Sequence, residues 1–124
     1  MILDAGFLVS IDRSEHAARA FLTAVARSGT ALHTTHPVVA QVWRQGSRQA
    51  RLSAFLGTMP IHPLDDGRAI GQLLARSGTS DVVDAHLAIT AVRLGHDILT
   101  GDPEDLATLM TLLGPGAPGV HTWP

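Results

Sequence analysis

The 124 residues are expected to form one domain, 1–124, with 45% apolar and 16% charged residues: enough for a core and too little charge for a disordered chain. All nine basic residues are Arg, so with no Lys and no Cys several chemistries are excluded: the Walker-A phosphate loop, Schiff bases, Lys-dependent phosphoacceptor sites, thiol nucleophiles, disulfides and thiolate zinc sites. A formal net charge of −2 excludes nucleic-acid binding by bulk charge alone.

Met1-Ile2-Leu3-Asp4 reads as a short buried strand and lacks the basic flank of a secretion signal, which predicts a cytoplasmic protein. No apolar run approaches the roughly 18 residues that cross a bilayer, so no membrane association is expected. A helical pattern begins at Ala5 and continues in a run capped by Ser14, with Ala17, Phe21, Leu22, Val25 and Ala26 at helical spacing until Gly29. Residues 31–35 alternate as a second strand. Pro37 opens a helix through Arg44, Gly46 breaks it, and a further short helix runs from Ser47 to Leu56. Prolines hold 59–64 extended, and Asp65 or Asp66 caps a helix that buries Ile70, Leu73 and Leu74. Asp81 to Leu94 forms the next helix, Asp97 to Thr100 a strand, Pro103 to Leu113 a helix, and Val120 to Trp123 a closing strand. This alternation predicts an α/β fold, a short and mostly parallel sheet covered by helices on both faces.

In such a sheet the loops leaving the C-terminal strand ends build the site. Asp4 ends the first strand, Asp102 follows the strand at 98–100, and Asp81 and Asp84 open a helix near the same edge. Four converging carboxylates repel one another when ionised and dry, and oxygen-only donors suit Mg²⁺ or Mn²⁺. Each acid also has a plainer reading as a helix cap or a first-turn acid, and so do Glu104 and Asp105 after Pro103.

Four blocks in order, Met1 to Ala5, Val38 to Arg44, Thr79 to Ala88 and Ile98 to Leu106, resemble the successive motifs of PIN-domain proteins, most closely VapC-type toxins. The resemblance spans nearly the whole chain. It implies a PIN-like fold and a metal-dependent endoribonuclease in which clustered acids hold Mg²⁺ or Mn²⁺ and an activated water attacks the RNA phosphodiester. It further implies a VapB-like antitoxin that blocks the site, and a homodimer. Asp4, Asp84 and Asp102 fall on the family's first, third and fourth acidic positions, as catalytic and metal-binding groups, and Asp81 matches a further acid one turn before Asp84 and is expected at the metal with them. Gln41 departs from the pattern: the family has Glu there, and residues 16–64 contain no acid that would replace it. A neutral amide lends an oxygen but no charge, so a PIN-like protein that is weakened or inactive as a nuclease and serves as a protein-interaction module is the alternative.

Thr100 stands where it would orient Asp102 or a metal-bound water, unless it is an ordinary strand residue. Arg44, Arg48 and Arg51 step by four and three and would track RNA phosphates if the helix ran on through Gly46; otherwise they are solvated. His86 lies one turn from the acids, where it would contact substrate, relay a proton or sit in solvent. The His33/His36 spacing lacks the helix that would make it a zinc pair, and the glycine-rich 114–119 segment, interrupted by two prolines, is a turn. Trp43 and Trp123 read as packing anchors.

Overall fold

A computed structural model describes residues 1–124. Its strands are β1 (Ile2–Leu3), β2 (Thr34–Thr35), β3 (Ile61–His62), β4 (Ile98–Thr100) and β5 (Val120–Thr122); its α-helices are α1 (Ala5–Asp12), α2 (His16–Ser28), α3 (His36–Val42), α4 (Ala50–Leu56), α5 (Gly67–Ser77), α6 (Val82–Leu94) and α7 (Pro103–Leu113). No helix is long and apolar enough to cross a membrane.

All strand pairs are parallel. β4 lies between β1 and β5, with Ile2 opposite Ile98 and Leu99 opposite His121, while β2 pairs with β3. A parallel bridge from Ile2 to His33 joins the two groups, giving the order β3-β2-β1-β4-β5. With every strand running the same way, Asp4, the start of α3 and the Gly101-Asp102 turn all leave from one edge. α6 returns to the start of β4 and so has its N-terminus at that edge too.

Burial follows from composition. Ala85 through Ala91 are all buried, so α6 is the interior helix, as a nearly uncharged stretch apolar all round must be. Gly95, at φ 68°, ends α6 in the left-handed conformation that glycine adopts without a Cβ clash, and the chain turns into β4. Phe7 lies at the centre of an aromatic cluster, with ring centroids 5.1 Å from Phe21, 5.9 Å from Phe55 and 4.8 Å from Trp123. Trp123 Nε1 donates to Ser10 Oγ at 3.0 Å, so the closing strand is pinned to α1.

Several boundaries differ from the sequence expectations. Ser14 does not cap α2: it sits at φ 55° in a tight turn, and Glu15 takes the N-cap position. Asp66 occupies the N-cap of α5 without a side-chain cap bond, and Asp65 is drawn off to Arg93. β2 is confined to Thr34–Thr35, because beyond the bridge at His33 it meets only a two-residue partner. α3 starts at His36 and ends at Val42, two residues before Arg44. A 3₁₀ turn over Gly46–Arg48 and the buried side chain of Gln49 then precede α4, which starts at Ala50 and not at Ser47.

Candidate active site

Asp4 follows β1 directly and is almost fully buried. Its Oδ1 accepts from the Ala5 amide at 2.7 Å, capping α1, and its Oδ2 accepts from Thr100 Oγ1 at 2.6 Å. The same Thr100 hydroxyl accepts from the Asp102 amide at 3.0 Å. Thr100 is fully buried in β4, so one hydroxyl ties the ends of two neighbouring strands and orients both acidic segments. Asp4 thus caps α1 with one oxygen, as the plainer reading has it, and turns the other toward β4.

Asp81 caps α6, its Oδ1 accepting from the Asp84 amide at 3.0 Å. Asp84 itself is half-buried, and burial together with the facing carboxylates of Asp81, Asp4, Asp102 and Asp105 pushes it up to about 7. Four acids from three segments thus act on one carboxyl group. Asp102 is exposed and makes no cap bond to α7; it too is raised, first by the carboxylate of Asp105 and further by those of Asp4 and Glu104. Asp105 is the residue that sequence reasoning left among the helix-start acids. Its signal was the three-residue step from Asp102, which places both on one side of the first turn of α7.

A cavity of about 130 Å³ opens beside these acids, lined by Asp81, Asp84 and Asp105 and by the hydroxyl residues Ser77, Thr79 and Thr108. It contains no basic side chain.

The other expected site residues are dispersed. Gln41 is exposed on α3, which packs against both α1 and α6. Arg44, Arg48 and Arg51 do not share a helical face, since they fall after α3, in the 3₁₀ turn and in α4, with Gly46 packed against the Trp43 ring. Arg44 Nη1 instead donates to the carbonyls of Trp43 and Ala40 at 2.7 and 3.2 Å, closing the end of α3. His86 is fully buried and faces away from the acids, with Nε2 3.5 Å from Asp65 and 3.4 Å from Thr90 Oγ1. Burial lowers its pKa, which disfavours the solvated and proton-relay readings alike. His33 does not pair with His36; its ring contacts His62 and His96.

The donor set fits a hard divalent cation in its chemistry. It is all carboxylate, and burial and then the neighbouring acids raise Asp84 to about 7, a cost to its ionised form that a cation relieves. No three acidic or imidazole groups, however, already enclose a common point.

No family model and no curated protein sequence matches the chain. Among solved structures, the chain is similar to that of VapBC2 from Rickettsia felis bound to a DNA fragment from their promoter, with a TM-score of 0.72 and 16% identity, covering 99% of this chain and 98% of that one. It is also similar to PAE2754 from Pyrobaculum aerophilum, with a TM-score of 0.62 and 17% identity over 95% and 88% of the two chains. At these identities the likeness concerns the fold, which is the PIN-like α/β architecture.

Proposed function

We propose that this chain is a metal-dependent endoribonuclease, the toxin of a toxin-antitoxin pair, which hydrolyses RNA phosphodiester bonds in the cytoplasm as a single-domain protein and a homodimer. The observation that carries the reading is the pressure on Asp84: acids from the ends of β1 and β4 and from α6 and α7 converge on it at the sheet edge where such folds build their sites. The likeness to a VapBC2 structure supports the toxin assignment and a VapB-like antitoxin as partner.

Asp4, Asp84 and Asp102 would hold Mg²⁺ or Mn²⁺, with Asp81 and Asp105 adding charge at the rim. Bound there, a divalent ion supplies Lewis acidity toward a phosphodiester and lowers the pKa of water. The chain's own work is to aim and desolvate. Thr100 fixes Asp4 and the Asp102 segment in register, burial excludes water behind Asp4, and the proton on Asp84 must leave when a cation binds. Gln41, on the helix packed against α1 and α6, contributes a neutral amide where the related motif has an acid. The arginines after α3 meet RNA as separate contacts and not as one stripe.

The test is cleavage of an RNA pool by purified protein with Mg²⁺ or Mn²⁺. Cutting should stop with EDTA and with Asp84→Asn. Cutting that survives both removes the assignment. A silent protein that binds no Mn²⁺ until Gln41→Glu is introduced would identify an interaction module.

A further inference from the structure

Away from the acids, three imidazoles meet on the β2–β3 side of the sheet. His33 Nδ1 lies 3.0 Å from His62 Nε2, with ring centroids 5.2 Å apart and planes within 18° of each other, which describes an edge-to-edge hydrogen bond between nearly coplanar rings. His96, in the turn from α6 to β4, packs its ring 4.8 Å from that of His33. We propose that His33, His62 and His96 form an acid-sensitive clasp that holds β3 to β2 and releases it when the cluster takes up protons.

The hydrogen bond sets the condition. One ring must donate and the other must keep a free lone pair, so the pair carries at most one added proton before two N–H groups face each other at 3.0 Å. The surroundings supply little relief. The Met1 ammonium, bonded to the Ala31 carbonyl, already acts on His33 and His96 as a positive charge. Asp97 is the acid that favours the charged form of His96, and its carboxylate is engaged by His121 Nε2 and the Gly119 amide, each at 2.8 Å. Burial and these neighbours hold His33 and His96 below the ordinary imidazole value.

The clasp matters because little else joins these strands. β2 and β3 pair over two residues each, with the Thr34 amide donating to the Pro60 carbonyl at 3.2 Å. β2 runs straight into α3, where Thr35 Oγ1 accepts from the Val38 amide, so release at the clasp loosens the start of the helix that carries Gln41.

Unfolded imidazoles ionise near pH 6.5. With folded values below that, the folded edge binds fewer protons, and its stability, complete above about pH 6.5, is lost as pH falls toward the folded values. Amide hydrogen exchange at Thr34, corrected for the intrinsic rate, reads the opening locally. It should open about tenfold more readily at about pH 5.5 than at about pH 7.5, a change equivalent to one unit of linked titration. In His62→Gln/His96→Gln, which keeps a hydrogen-bonding group opposite His33 and removes two of the three imidazoles, the change should stay within about twofold. A Thr34 opening constant that ignores pH, or one that rises equally in the double variant, overturns the clasp. So does an NMR titration in which His33 and His96 ionise at the ordinary value.

Discussion

Thr100 and Asp4 stand ninety-six positions apart in sequence and 2.6 Å apart in space, hydroxyl to carboxylate, inside the sheet. Thr100 is fully buried and Asp4 nearly so, so each fixes the other. Thr100→Val keeps the shape and removes both bonds, leaving Asp4 Oδ2 and the Asp102 amide without their partner. Unfolding by urea should show a loss of roughly 1–3 kcal/mol, and RNA cleavage should fall about 10–100-fold. Thr100→Ser should recover most of both.

Asp84 makes the metal-free protein weaker as pH rises. Its carboxyl ionises at about 7 in the folded chain and near 3.9 when unfolded. Below the unfolded value both states hold the proton and nothing is lost; stability then declines as pH rises and is lost through about 7. Asp84→Asn removes the penalty. In EDTA the variant should match the parent near pH 4 and exceed it near pH 8 by roughly 1–2 kcal/mol, the figure allowing for solvent screening of a half-exposed group. Equal urea midpoints near pH 8 would contradict the pressure on Asp84.

Asp105→Asn tests the acid found from the structure. Removing the strongest neighbour of Asp102 should bring that carboxyl down toward the ordinary range, visible as a lower titration midpoint in carboxyl NMR. Calorimetry should show Mn²⁺ binding weakened about tenfold. An unchanged Asp102 midpoint would return Asp105 to a helix-start role only.

Gln49 is the hub of the segment between α3 and α4. Its Oε1 accepts from the amides of Arg44 and Gln45 at 2.7 and 3.0 Å, and its Nε2 donates to the Val42 carbonyl at 2.9 Å and to Asp12 at 3.3 Å. Gln49→Ala orphans these groups and should cost about 2–3 kcal/mol in chemical denaturation. Backbone amides of 44–48 should lose exchange protection before the rest of the chain does. Uniform loss of protection would argue against a local hub.

The sequence made the long features legible. The apolar face of α6, the Thr-Gly-Asp turn after β4 and the acid after β1 were visible because each is written in contiguous residues. Four features were not legible, two of them because they depend on partners far along the chain. His86 points inward because Asp65, twenty-one positions earlier, meets it. His33 bonds His62 and not His36 because β2 and β3 are adjacent. The arginines lost their common face when buried Gln49 drew the intervening backbone into a 3₁₀ turn. Asp105 hid because an acid in the first turn of a helix already has a sufficient local reason to be there.

The strand order carries a consequence for how the protein comes into being. β1 pairs with β4 ninety-six positions later, and Trp123 completes the aromatic cluster around Phe7. Contacts of such long range form slowly, after the loop between them has closed. On the ribosome, Asp4 waits beside no partner until Thr100 and Asp102 have emerged, so a nascent chain carries the acids without an assembled centre. The acidic edge is complete only once α7 and β5 are available to fold.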